Sequence, residues 1–351
     1  MNFAIVRYLI GWMLGIESIF LLLPALTAVI YGEAELPAYL TAAAISLAGA
    51  ALLCHRKPKN TRFYAREGYV TVALCWLVLA VIGALPFVLS REIPFFIDAL
   101  FETVSGFTTT GATILGDVEA LSHASMLWRC LTHWVGGMGV LVFMLIVLPL
   151  AGGQTIFLMR AESPGPAVSK MSPHMRDTAT ILYAIYFGLT VLQMILLLIG
   201  GMPLFDAICV SLGTAGTGGF GNWNDSIAHY NSAYLQNVIT VFMILFGINF
   251  SAYFLILTRK FRQAFRIEEI RVYLGVIFVF AGLIAFNVRP MFGSLRESFH
   301  HALFQVASII TTTGFSTVDF DRWPTFSRAL LVLLMFIGAC AGSTGGGIKC
   351  S

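Results

Sequence analysis

Apolar residues in this chain come in long blocks, without the short alternations of a half-buried helix or strand. The blocks run Tyr8–Ile30, Pro37–Leu53, Tyr69–Leu89, Ala124–Leu150, Thr178–Gly200 and Tyr234–Leu257, with two shorter ones at Tyr273–Phe286 and Ala329–Ala339. About 20 apolar residues carry a helix across a bilayer, so these blocks predict membrane spans, the last two short as they stand. Between the third and fourth lies Pro94–Val104, of moderate hydrophobicity and too short to cross. It is expected to enter the membrane, stop and return. Ala329–Ala339 runs into Ala341-Gly342-Ser343-Thr344-Gly345-Gly346-Gly347, irregular backbone that cannot face lipid. The predicted class is an all-α integral membrane protein.

The polar punctuation repeats. Thr110-Gly111-Ala112-Thr113, Gly218-Gly219-Phe220-Gly221 and Thr313-Gly314-Phe315-Ser316 are each preceded by segments that match in register: DALFETVSGFTTT from Asp98, DAICVSLGTAGTG from Asp206 and HALFQVASIITTT from His301. The recurrence, at about a hundred residues, predicts repeated units of outer helix, re-entrant half-helix, irregular strand and inner helix. The expected divisions are a two-helix extension over 1–66, then units over 67–155, 170–262 and 268–351.

Non-helical backbone at membrane depth survives where protein covers it or where it lines a watery cavity. Its carbonyls can then replace the water around a dehydrated cation. Glycine permits positive φ, which lets successive carbonyls point one way, and threonine adds oxygens on a stiff side chain. A half-helix aiming its C-terminal end at the pore suits a cation. Cation permeation is the economical reading of three such stretches in register, where a single one would read as a packed turn.

Composition agrees: 58% of the 351 residues are hydrophobic and 11% charged, against about 25% charged in soluble domains. The net charge of +3 is small and favours no nucleic acid. Basic residues gather in His55–Arg62, in Arg160, Lys170 and Arg176, and in Arg259, Lys260, Arg262 and Arg266, after the second, fourth and sixth blocks. The positive-inside rule places these loops and the N-terminus in the cytoplasm. The first block exceeds the apolar core of a signal peptide and is read as a retained span. Six cysteines without CxxC or metal-ligand spacing read as small buried hydrophobes. No nucleotide-binding glycine pattern or catalytic triad is present, so no enzyme is expected.

Thr108-Thr109-Thr110-Gly111-Ala112-Thr113, Trp134-Val135-Gly136-Gly137-Met138-Gly139, Arg160-Ala161-Glu162-Ser163-Pro164-Gly165-Pro166 and Gly342-Ser343-Thr344-Gly345-Gly346-Gly347 resemble the Trk/Ktr/HKT superfamily of cation transporters, and within it the TrkH type. The resemblance covers essentially the whole chain. It implies two N-terminal helices, then M1–pore loop–M2 repeats as in K⁺ channels. Filter carbonyls would fall on Thr108, Thr109, Thr110 and Gly111, on Gly216, Thr217, Gly218 and Gly219, and on Thr311, Thr312, Thr313 and Gly314. Glycine at the central positions Gly111, Gly219 and Gly314 goes with potassium in that superfamily, so K⁺ is the implied ion, bound at the filter residues, with no covalent cofactor. Ala341, Gly342, Ser343, Thr344, Gly345, Gly346 and Gly347 would form an intramembrane gate loop. A cytoplasmic nucleotide-binding ring of TrkA type, a homodimer and a bacterial inner-membrane location are likewise implied.

The family has four repeats and three are read here, the third ending at Ser351, so the fourth is expected to be absent and the chain alone not to conduct selectively. Potassium uptake and a non-conducting fragment or interaction subunit therefore both stand. A secondary transporter with inverted repeats fits poorly, since successive units enter from the same side. Asp98 and Asp206 either cap their half-helices or attract cations at the outer mouth. Glu102 is expected to pair with a local donor, His133 to be a core histidine, Asn249 and Ser251 to bond between helices, and Glu17 to face protein or pair with Arg7. Gly136, Gly137 and Gly139 are expected to permit close helix packing near the filter.

Overall fold

The computed structural model describes residues 2–58, 65–137, 139 and 175–350. Among the described residues the chain is helical, and the β pairing is an isolated bridge between Ile337 and Ile348. Two compact units form. One takes Met1–Thr108 with Ala112–Tyr183, and the other takes Thr109–Gly111 with Ala184–Ser351.

The first unit opens with α1 (Phe3–Tyr31) and α2 (Leu36–Cys54) packed together. In lipid, helices gain little from hydrophobic burial against one another, so close approach and interhelical hydrogen bonds hold them. Both operate here. A side chain at Gly11 would strike Leu53 and Cys54, while Ser18 donates to the Ala43 carbonyl at 2.9 Å and Ser46 to the Leu14 carbonyl at 2.8 Å. Gly32, at φ +69°, closes α1 in the left-handed conformation. Then follow α3 (Ala65–Ser90), the half-helix α4 (Phe96–Phe107) and α5 (His123–Gly137). Trp128 of α5 donates to the Gly83 carbonyl of α3 at 2.9 Å, and Thr103 of α4 to the Ala80 carbonyl at 2.9 Å.

α6 (Met175–Ile199) leads into the second unit, which holds α7 (Leu204–Ala215), α8 (Ala233–Phe246), α9 (Phe250–Leu257), α10 (Phe261–Phe265), α11 (Glu268–Val288), α12 (Leu295–Ile310) and α13 (Thr325–Phe336). One face of α11, Tyr273, Ile277, Ala281, Ile284 and Val288, packs on Ala302, Val306 and Ile310 of α12. Both series step by three or four residues, the spacing of a helix face. On other faces Leu22, Leu26, Ile30, Leu52, Phe278 and Phe286 are exposed, as suits lipid.

Five described helices are long and apolar enough to cross a membrane, or six if a bent pair counts as one span. That pair corrects the reading of Tyr234–Leu257 as a single helix: α8 and α9 meet at 91°. Asn249 turns the corner, its side-chain oxygen accepting from the Ser251 amide at 2.8 Å to cap α9. The short block Tyr273–Phe286 extends to the 21 residues of α11, with Glu268 and Glu269 in the first turn, where the helix dipole favours acids. The half-helix read at Pro94–Val104 is α4. Of the block Ala124–Leu150, residues 138 and 140–150 lie outside the described residues, as does the Arg160–Pro166 motif. None of the six cysteines, all among the described residues, forms a disulfide.

Candidate filter and gate loop

The half-helices α4, α7 and α12 end at the same register position: their C-caps are Thr108, Gly216 and Thr311. In α7 and α12 the ending is a Schellman turn. The Thr217 amide bonds the Thr214 carbonyl and the Gly218 amide the Gly213 carbonyl, at 3.0 and 3.1 Å; Thr312 and Thr313 repeat this on Ile309 and Ser308, at 3.0 and 2.9 Å. The turn needs a left-handed residue, usually glycine, and here it is threonine. φ is +53° at Thr217 and +59° at Thr312, and Thr109 in the first stretch matches at +54°. The central glycines follow two places on, with φ +74° at Gly111, +81° at Gly219 and +85° at Gly314.

Each stretch therefore has negative φ at its first position and positive φ at its second and fourth. Alternating backbone hand turns successive carbonyls toward one side, the geometry that can replace a cation's water. A β-branched residue at positive φ is an outlier, and strain of this kind concentrates at functional positions.

The structure brings most of the sequence-predicted filter residues together in the second unit: Thr109–Gly111, Gly216–Gly219 and Thr311–Gly314. Thr108 belongs to the first unit, where its hydroxyl donates to the Val104 carbonyl at 2.7 Å. Neighbouring stretches touch closely. A Cβ at Gly111 would run into the Gly218 carbonyl, and one at Gly219 into the Thr313 carbonyl. Gly136 of α5 likewise lies against the Phe107 carbonyl, the close packing expected there.

Past each central glycine the chain is tied back to its half-helix. Ser105 donates to the Ala112 carbonyl at 2.5 Å and Ser308 to the Phe315 carbonyl at 2.6 Å. Gly213 occupies the matching place in α7, and a Cβ there would stand 2.8 Å from the Phe220 carbonyl. A second tie differs in each repeat. Glu102 accepts from Thr113 Oγ1 at 3.0 Å, the Ile114 amide at 3.1 Å and Arg129 Nε at 2.7 Å, forming a buried ion pair. Asp206 accepts from Asn222 at 2.7 Å, Tyr230 at 2.6 Å and Trp223 at 3.3 Å. Burial, then Asp206 beside it, pushes the Tyr230 phenol above its ordinary range, so it stays a donor. In the third repeat His301 Nδ1 lies 3.0 Å from Thr317 Oγ1.

These ties correct the capping reading of the half-helix acids. The N-caps are Phe95 and Pro203, and neither makes a side-chain cap. Asp206 sits in the first turn and holds the following loop instead; Asp98 also lies in a first turn. α12 begins one turn earlier, with Ser294 as a capping N-cap, so His301 falls well inside the helix. Glu102 does pair locally, with Arg129. His133 is fully buried, and Glu17 is buried in α1, while Arg7 donates to the Arg56 carbonyl at 2.8 Å.

After α13 the backbone is irregular from Gly338, and Ala341–Gly347 folds against the threonine stretches and the α8–α9 corner. The Cys340 amide bonds the Gly247 carbonyl at 3.1 Å, the Thr344 amide the Phe246 carbonyl at 3.4 Å, and the Phe250 amide the Gly342 carbonyl at 2.9 Å. The loop thus occupies carbonyls that α8 leaves open at its C-terminus. Glu269 accepts from the Ala341 amide and, at 3.4 Å, from Asn249. A Cβ at Gly345 would lie 3.1 Å from the Thr311 carbonyl. Sequence reading missed Ser105, Ser308 and Glu269. The serines were findable from the register, where the same residue falls three places ahead of Thr108 and of Thr311.

Comparison with known proteins agrees with this architecture. Residues 38–351 match the model of the TrkH family, described as a cation transport protein. The Trk system potassium uptake protein TrkH of Salmonella typhimurium is 37% identical over 356 residues, covering 99% of this chain and 74% of that protein. TrkG of Escherichia coli K12, of the same Trk system, is 33% identical over 350 residues, covering 98% and 72%. The crystal structure of the potassium transporter TrkH from Vibrio parahaemolyticus superposes with a TM-score of 0.87 at 31% identity, covering all of this chain and 73% of that one. The chain belongs to the TrkH family of membrane cation transport proteins.

Proposed function

We propose that this protein takes up potassium ions across the bacterial inner membrane through a filter of backbone carbonyls, gated by the loop Ala341–Gly347. The observation that carries this reading is the repeated backbone: left-handed threonine, then left-handed glycine two places on, at Thr109 and Gly111, Thr217 and Gly219, Thr312 and Gly314. Carbonyls turned to one side at fixed spacing favour a dehydrated cation over water. The relatives named for potassium uptake support K⁺ as the ion. Their similarity runs along 99% of this chain, which favours selective transport over the non-conducting fragment or interaction subunit expected from the count of three repeats.

The basic loops favour a cytoplasmic N-terminus. A regulatory ring of TrkA type on the cytoplasmic side and a homodimer complete the proposal, supported by relatives that are named as proteins of a Trk system.

The test is growth and ion uptake in bacteria lacking their own potassium uptake. The protein should restore growth at low K⁺, with Na⁺ a poor competitor for Rb⁺ uptake. Gly111→Ser places a side chain at φ +74° against the Gly218 carbonyl, so sodium should then compete. Unchanged selectivity in that variant would remove the glycines from the filter.

A further inference from the structure

The left-handed threonines pose a question that the filter alone does not answer. A Schellman turn takes glycine without strain, whereas threonine there is strained. Carbonyl geometry would be served by glycine equally well. What glycine lacks is the hydroxyl, and in two stretches the hydroxyl reaches the gate loop.

Thr312 Oγ1 donates to the Thr311 carbonyl at 2.6 Å and accepts from the Gly346 amide at 2.7 Å. Thr217 Oγ1 lies 2.7 Å from the Gly216 carbonyl and 3.0 Å from the Thr344 carbonyl, able to donate to either. Each hydroxyl thus touches the first carbonyl of its own filter stretch and the backbone of the loop at once. Thr217 is fully buried and Thr344 nearly so, so no water competes for this contact. The loop's start is held separately, by Glu269 on the Ala341 amide and by the Gly247 carbonyl on the Cys340 amide. Within Thr344–Gly346, Thr344 also bonds the Phe246 carbonyl, by its amide at 3.4 Å and its hydroxyl at 3.2 Å, and the Gly345 carbonyl accepts from Lys349; the two threonine hydroxyls are what tie this stretch to the filter stretches.

We propose that Thr217 and Thr312 are latch residues: their hydroxyls hold Thr344–Gly346 closed against the filter and couple its release to the first filter carbonyls. When the loop leaves, Thr217 donates its hydrogen bond to the Gly216 carbonyl alone, and Thr312 loses its Gly346 partner. Opening the gate and adjusting the innermost filter carbonyls become one event. This rests on the filter and gate reading above.

Two readouts on the purified protein test it: Rb⁺ influx into proteoliposomes without any cytoplasmic partner, and hydrogen exchange of the peptide covering Ala341–Gly347. Thr312→Val and Thr217→Val keep the side-chain shape but lose the hydroxyl. Each should raise both influx and loop exchange by about two- to tenfold, the range for one net hydrogen bond. Thr312→Gly relieves the backbone strain while removing the latch, so it should do the same with a fold at least as stable. Thr312→Ser keeps the hydroxyl, so its loop exchange should fall well below that of Thr312→Val. Wild-type influx and loop exchange in both Thr312→Val and Thr312→Gly, or a Thr312→Ser variant that behaves like valine, would overturn the latch. A wild-type protein that does not prefer Rb⁺ to Na⁺ would sink the filter reading, while loop exchange still decides whether the hydroxyls hold the loop.

Discussion

A threonine in the left-handed region gives up roughly 1–3 kcal/mol of backbone comfort, and the chain does this at Thr109, Thr217 and Thr312 alike. The serines one turn back act with them. Ser105 and Ser308 hold the Ala112 and Phe315 carbonyls, the first beyond the central glycines, and so fix where each stretch leaves its half-helix. Ser105→Ala and Ser308→Ala each leave that carbonyl without its donor. Each should lower the preference for Rb⁺ over Na⁺ about two- to tenfold, the range of one hydrogen bond, with protein yield unchanged. Uptake assays with competing Na⁺ check this, and unaltered preference in both variants would reduce the serines to packing. The glycines were readable in advance because positive φ is their specialty. The left-handed threonines were not, because β-branched residues argue against that conformation until the Schellman turn around them is seen. Glu102 was readable as a paired acid but not its partner, since Arg129 lies 27 positions away across the membrane unit.

The elements follow hydrophobic blocks closely where a helix is straight and fail where it bends. α8 and α9 share one apolar block, and only Gly247 and Asn249 hint at the 91° corner between them. The bend depends on tertiary partners: Asn249 caps α9 and reaches Glu269, and the loop amides take up the end of α8. Gly247 is required by space, because a Cβ there would collide with the Tyr273 hydroxyl. Asn249→Ala should destabilise the protein by about 1 kcal/mol through the lost cap, while Asn249→Ser keeps a capping oxygen without setting a second carboxylate against Glu269. Thermal unfolding in detergent should rank wild type and Asn249→Ser above Asn249→Ala for the α9 cap, and equal stability of all three would mean the corner is held without it. The half-helix acids were misread for a related reason. A carboxylate in a first turn looks like a cap, but Asp206 finds three donors in the loop that returns from the filter.

At the scale of the whole molecule, the repeat is conserved in backbone geometry more than in side chains. The pin behind the filter is Glu102 with Arg129 in one repeat, Asp206 with Asn222 and Tyr230 in the next, and His301 with Thr317 in the third, yet φ at the matched threonines agrees within a few degrees. Backbone conformation is thus the common property, and cation selection is what carbonyls turned by that conformation can supply. The most direct measurement is ion flux into proteoliposomes containing the purified protein, with K⁺ and Na⁺ compared under identical gradients. K⁺ flux well above Na⁺ flux is expected. Equal flux of the two ions through folded protein would contradict a carbonyl filter built on these three stretches.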